Sequence, residues 1–276
     1  MSTSALSLEV SFGGRRWRAA IAGAVDLSIP LHFDGDQPRF FGAPAARAQS
    51  IEAGNFVGDV RRGGSVNCAT YSLVPHCNGT HTECIGHVTS EPVSVRELAR
   101  DHLIPAVVVS ITPESAESTE ETSRPTPAAG DRLITQRALR SSTHALIAGG
   151  ALIIRTLPND PVKQHRDYDA DGPAPYFTAE AMQWIVSHDI HHLVVDLPSI
   201  DRAADEGRLT AHRLFWGMPP GSTTRTGATR STCTITELAY IDDTVADGMY
   251  LLNLQVAPFM ADAAPSRPVL YPLIPA

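Results

Sequence analysis

The sequence predicts an α/β protein built in layers, and three observations carry that reading. Helix-type and strand-type patterns alternate through the second half of the chain, a β-branched run at residues 104–111 reads as a strand buried on both faces, and the beginning consists of short extended pieces. With 276 residues, 43% of them hydrophobic, the chain has ample material for a packed core.

Taken in order, residues 6–10 and 17–21 flank Gly13-Gly14 and read as a hairpin over about residues 5–22. Asp26-Leu27-Ser28-Ile29-Pro30-Leu31 follows as an extended piece, and residues 66–73 as a strand leading into a loop rich in potential ligands. Ser94-Val95-Arg96-Glu97 has capping-box spacing and opens a helix through residue 103, ahead of the 104–111 strand. Residues 112–130 are rich in Ser, Thr, Glu and Pro and nearly empty of large apolar side chains, so a flexible, exposed connection is expected. A helix at 135–144, a strand at 151–156, a helix at 178–187 and a strand at 193–197 come next. In the second of these helices Met182, Ile185 and Val186 share one face, which is a core face. A short helix at 210–216 and an apolar strand at 249–256 complete the map, and no internal repeat is present. A single domain over residues 1–276 is expected.

Composition excludes several function classes. The net charge of −8 and short, scattered basic pairs such as Arg15-Arg16 and Arg61-Arg62 offer no electrostatic footprint for nucleic acid. No run approaches the roughly 20 apolar residues that span a bilayer, and the N-terminus lacks a charged region leading into an apolar one, so a cytoplasmic protein without a membrane partner is expected. Four cysteines are too few for a disulfide scaffold; reduced thiols are expected, with Cys68 and Cys233 as buried packing.

The chemistry concentrates in Cys77-Asn78-Gly79-Thr80-His81-Thr82-Glu83-Cys84-Ile85-Gly86-His87. Two thiols, two imidazoles and a carboxylate this close together are metal-site chemistry, with Gly79 as a flexible turn that lets them converge. A closed zinc site from Cys77, His81, Cys84 and His87 is chemically complete, but four ligands would have to wrap one ion within a single short loop. The other arrangement has Cys77, His81 and Glu83 facing one way from extended backbone, distant residues completing an open site, and Cys84 and His76 pointing elsewhere. An open site carries water, which points to a metallohydrolase.

These residues resemble the cyclase family that includes bacterial kynurenine formamidase and isatin hydrolase, whose motif has the form H-x-G-T-H-x-D-x-P-x-H. The aligned positions are Cys77, Gly79, Thr80, His81, Glu83, Ile85 and His87. Further similar stretches follow in the same order: Asp26-Leu27-Ser28, Pro38-Arg39-Phe40-Phe41-Gly42, Tyr176-Phe177-Thr178-Ala179-Glu180-Ala181, Asp196-Leu197-Pro198-Ser199-Ile200-Asp201, His212-Arg213-Leu214 and Thr236-Glu237-Leu238. The resemblance implies a swivelling β/β/α fold with a mixed sheet core. It implies a first metal held by Cys77, His81, Glu83 and Glu237, and a second sharing the two carboxylates and adding His212. His87 would move protons, and Phe40 or Phe41 would contact a substrate ring. It also implies association into a homo-oligomer.

Three positions depart from the motif. Cys77 stands where the family has histidine, and a thiolate favours zinc over manganese. Glu83 replaces an aspartate and is longer by about 1.5 Å, and Ile85 replaces a proline. The expected cofactor is therefore one or two zinc ions. The expected reaction is hydrolysis of a small amide C–N bond, with His87 protonating the departing nitrogen. An aryl formamide resembling N-formylkynurenine is the leading substrate class. A cyclic amide, imide or lactone such as isatin is the alternative, and a metal-binding member without hydrolase activity is a third reading.

Overall fold

The structure, a computed structural model, describes residues 7–100, 103–143 and 145–276. The expected strand start at residue 6, the helix at 101–102 and the helix end at 144 lie outside these residues.

Ten strands form the main sheet: β1 (Ser7–Phe12), β2 (Arg15–Ala20), β3 (Val25–Asp26), β4 (His81–Glu83), β5 (Ile104–Ile111), β6 (Ala151–Thr156), β7 (His192–Val195), β8 (Thr234–Glu237), β9 (Gly248–Val256) and β10 (Ala263–Pro275). Strands β9, β5, β6, β7, β8 and β4 pair in that order, and β10 joins β9 at one end to β4 at the other. The sheet therefore closes on itself. It is mixed: β5, β6, β7 and β8 run parallel, and the remaining pairings of the ring are antiparallel. The β1–β2 hairpin extends from the C-terminal end of β10.

Period-two alternation divides the apolar strands between two cores. Val107, Val109 and Ile111 of β5, with Leu152 and Ile154 of β6, pack toward the helices. Ile104, Ala106 and Val108, with Ala151 and Ile153, pack into the enclosed side with Leu252 and Leu270. Burial on both faces is why these strands read as continuous apolar runs.

The helices are short: α1 (Pro75–Asn78), α2 (Val95–Leu98), α3 (Gln136–Ser142), α4 (Ala179–Ser187) and α5 (Thr210–Phe215). Thr135 and Thr178 cap α3 and α4 by accepting the N–H groups of Ala138 and Ala181. Ser94 caps α2 through Arg96 N–H rather than through Glu97, and its helical turn ends at Leu98.

Several expectations are corrected. The donor segment is not a loop: a helical turn, α1, precedes a wholly buried strand, β4. Gly79 is extended, with φ 179°, so it makes no tight turn. Residues 112–130 are largely exposed but tethered, since Glu121 accepts the N–H groups of Gln136 and Arg137 and the Thr178 hydroxyl, joining the starts of α3 and α4. The strand expected at 66–73 is only Ala69–Ser72, and Cys68 is exposed. The long strand β10 has no counterpart in the sequence reading, because Pro265, Pro268, Pro272 and Pro275 argue against a strand there.

A buried ion pair fixes the segment after β7. Lys163 Nζ lies 2.8 Å from Asp196 Oδ2, and the same carboxylate accepts the N–H and hydroxyl of Thr156, both at 2.9 Å. Lys163→Met should leave the Asp196 carboxylate buried without its cation and cost about 3–5 kcal/mol. Urea unfolding of the two proteins measures this, and a loss below about 1 kcal/mol would show that Thr156 alone satisfies Asp196.

Candidate metal centre

Strand alternation puts His81 and Glu83 on one face of β4, and the antiparallel register sets His81 opposite Glu237 and Glu83 opposite Ile235 on β8. Thr82 and Thr236 face the other way, joined through their hydroxyls at 2.7 Å. Thr80 fastens the start of β4: its hydroxyl accepts the Ile29 N–H and donates to the Leu238 carbonyl. Leu238, directly after Glu237, has φ 52°, a left-handed conformation that costs a non-glycine residue about 1–3 kcal/mol. Over this face lies α5, which carries His212. The Asp201 carboxylate accepts the backbone N–H groups of Ala211 and His212 at 2.8 and 3.1 Å, and meets His212 Nδ1 at 2.7 Å. One side chain thus caps the helix and orients the ring.

The result is a convergence of donors around Glu83, which is fully buried. Its Oε1 stands 2.9 Å from His212 Nε2, and its Oε2 3.1 Å from His76 Nδ1 and 3.8 Å from His87 Nδ1. Glu237 Oε2 is 3.5 Å from His81 Nε2, while its Oε1 accepts the Ile200 N–H. Both Glu83 oxygens, His81 Nε2 and His212 Nε2 are buried without an aligned hydrogen-bond partner. Leaving such atoms unpaired costs about 1–3 kcal/mol each. Imidazole nitrogens and carboxylate oxygens converging in this way are the donor set of a divalent cation, so the residues fit a metal.

The electrostatics agree. Burial opposes ionisation of Glu83, yet the charges of His87 and His212 hold its carboxyl well below the ordinary range. Burial and the Glu83 charge both oppose ionisation of Glu237, and the imidazoles of His212 and His81 still bring it down. Against burial, Glu83 and Asp201 raise His212 well above an ordinary histidine, and Asp262 and Glu83 raise His76 to about 10. Burial pushes the Cys77 thiol up to about 11, helped by the charges of Glu237 and Asp169. The raised His76 and His212 thus set positive charge against the buried carboxylates.

Above the cluster opens a cavity of about 410 Å³ lined by Phe40, Phe41, His87, Arg202 and Cys77, among others. Phe40 is buried, whereas Phe41 is 70% exposed. The Asp169 carboxylate accepts the N–H groups of Phe41 and Gly42 at 3.0 and 2.8 Å, which holds Phe41 at φ 60°. His87 is partly exposed, with its ring 4.3 Å from that of His76 and its Nδ1 3.4 Å from Asp262 Oδ2.

The family model described as "Putative cyclase" matches residues 25–202. The chain belongs to the Cyclase family. Solved structures similar to this cyclase include isatin hydrolase A from Labrenzia aggregata, at 18% identity and a TM-score of 0.61, covering 92% of this chain and 94% of that one. Isatin hydrolase A from Ralstonia solanacearum is similar at 16% identity and a TM-score of 0.58, covering 90% and 91%. A predicted metal-dependent hydrolase from Bacillus stearothermophilus is similar at 16% identity and a TM-score of 0.58, covering 90% and 97%. These share the cyclase fold. No curated protein matches the sequence.

Of the residues singled out in the sequence, this cyclase brings together His81, Glu83, Glu237 and His212, with His87 at the cavity side of the cluster. Phe40 and Phe41 line the cavity, and so does Cys77, but among the described residues no group of three convergent donors includes its thiol. His76, expected to point away, faces Glu83. Asp262 was not singled out at all; it sits beside Glu83 because Cys84 N–H donates to its carbonyl just before β10 begins. Asp201 stands in a recognised stretch, but nothing in the sequence announced its bond to a histidine eleven residues later.

Because Glu83 and Asp201 raise His212 well above an ordinary histidine, an ion that takes its Nε2 has to displace a proton. Zinc binding at pH 7 should release about one proton or more per ion, and affinity should rise with pH. Calorimetry in two buffers of different ionisation enthalpy measures the release. A proton count of zero would mean that the ion binds elsewhere.

Proposed function

We propose that this cyclase is a metal-dependent hydrolase of a small aryl amide, with an aryl formamide as the leading substrate class. The observation that carries the reading is the set of buried donor atoms without an aligned partner, His81 Nε2, His212 Nε2 and both Glu83 oxygens, beside a cavity whose lining includes His212 and Glu237. His81, Glu83, Glu237 and His212 would hold one or two divalent ions, zinc by expectation. When bound, such an ion supplies Lewis acidity at the substrate carbonyl and a water of lowered pKa.

The chain's own groups supply the rest. His87 lies at the cavity wall, partly exposed, where an imidazole can pass a proton to a departing nitrogen. Asp262 Oδ2, 3.4 Å from His87 Nδ1, orients that ring. Phe40 and Phe41, with ring centroids 5.9 Å apart, offer an apolar wall for an aromatic ring. Arg202 is the one arginine or lysine among the described cavity residues, and its Nε is 3.2 Å from Asp131 Oδ2. Held there, the guanidinium suits a carboxylate on the substrate. The likeness to two isatin hydrolases favours a second reading, opening of a cyclic amide or imide by the same groups.

A panel of formanilide, N-formylkynurenine, isatin and a lactone, assayed with zinc and with manganese, tests the assignment. His87→Ala should lower kcat about 10²–10⁴-fold while metal content stays the same. If no substrate turns over above that variant, the protein binds metal without being a hydrolase. Arg202→Met should raise KM about tenfold or more for N-formylkynurenine and leave formanilide unaffected. Equal effects on both substrates would remove Arg202 from carboxylate recognition.

A further inference from the structure

Three of the histidines facing Glu83 and Glu237, namely His76, His81 and His212, share one construction. His81 places Nδ1 3.0 Å from the Gly79 carbonyl and turns Nε2 toward Glu237. His212 places Nδ1 on Asp201 and turns Nε2 toward Glu83. His76 does the same with its nitrogens exchanged: Nε2 lies 2.9 Å from Asp262 Oδ2, leaving Nδ1 3.1 Å from Glu83 Oε2. An imidazole whose far nitrogen is bound to a carboxylate or carbonyl has its tautomer and ring plane set for binding a metal through the near one.

Backbone geometry explains why position 76 has this role. Extended backbone would align side chains 77, 81 and 83 on one side. The helical turn Pro75–Asn78 breaks that alternation, and successive side chains on a helix diverge by about 100°. Residues 76 and 77 therefore diverge: His76 meets Glu83, whereas the Cys77 thiol, near enough to Glu237 to feel its charge, lines the cavity. The donor atoms of His76, His81 and Glu83 lie within 4.8 Å of one another, and among the described residues no such group contains Cys77.

Resting on the metal-dependent reading above, we propose that His76 Nδ1 is a metal ligand of this chain, in the place the family motif gives to position 77. Asp262 is its positioning residue, and the Cys77 thiol stays uncoordinated at the cavity wall. The ligand shell then consists of imidazoles and carboxylates. Glu83 and Glu237 carry its two negative charges, so a single divalent ion leaves the shell neutral. Such a shell also gives zinc no sulfur-based advantage over manganese.

Cobalt(II) loading of the full chain separates the alternatives, because thiolate ligation produces an intense near-ultraviolet charge-transfer band and nitrogen or oxygen ligation does not. The unaltered protein should bind cobalt without that band, and Cys77→Ser should keep the same spectrum and affinity. Asp262→Asn should weaken cobalt binding about 10–100-fold, and His76→Ala by at least as much, with circular dichroism of each metal-free variant reporting its fold. A charge-transfer band that disappears in Cys77→Ser would overturn the proposal and leave the hydrolase reading intact. So would unchanged cobalt affinity in a folded His76→Ala. If the unaltered protein binds no cobalt, the metal reading itself fails along with this one. The spectrum of the unaltered protein decides between sulfur and nitrogen even if a variant does not fold.

Discussion

Two carboxylates, Glu83 and Glu237, are buried side by side, and the surrounding architecture answers that one constraint. Neighbouring charges that are out of water cannot both stay ionised unless positive charge is brought to them. The chain meets this demand with imidazoles drawn from four places: α1, β4, the turn carrying His87, and α5. An imidazole can answer a buried carboxylate with a proton or offer a nitrogen lone pair to a cation, and His76 and His212 are both raised above an ordinary histidine. Four of the cluster's buried donor atoms lie close to one another without an aligned hydrogen bond, which favours a binding site over a structural salt bridge.

Closure of the sheet places these groups. Because β10 pairs with both β9 and β4, the short strand β4 is hydrogen-bonded on both edges and held rigidly despite its three residues. Thr80 then ties its start to Leu238, which fixes the separation between His81 and Glu237. On the helical side, the Lys163–Asp196 pair anchors the chain just ahead of the segment that delivers Asp201, and Asp201 sets both the start of α5 and the plane of the His212 ring. Strands and helices position most of the candidate donors, while much of the cavity wall comes from loops and turns, including the strained turn at Phe41. This division suits a site in which ligand geometry is kept constant and substrate fit is adjusted separately.

Much of this was legible in the sequence where the signal is local. The strands at 104–111 and 151–156 match β5 and β6 because burial on both faces leaves an unbroken apolar run. The helix at 178–187 was legible from the shared face of Met182 and Ile185, both buried. The strand β10 was not legible, since a proline-bearing segment survives as a strand only by exchanging partners along its length, and those partners are remote in sequence. The donor cluster was legible in composition but not in direction. Alternation set Cys77, His81 and Glu83 on one side, and a single helical turn at the start of the segment turned His76 toward Glu83.

By itself, then, the amino-acid order determined a layered α/β protein and a segment whose residue types suit a metal ion, because periodicity and local chemistry are properties of neighbouring residues. Which nitrogen faces which oxygen was decided only by the tertiary structure. Asp262 and Asp201 acquire their roles through contacts 186 and 11 residues away along the chain. The choice between His76 and Cys77 depends on a rotation of one residue about a helical turn, a distinction that exists only once the backbone has been placed.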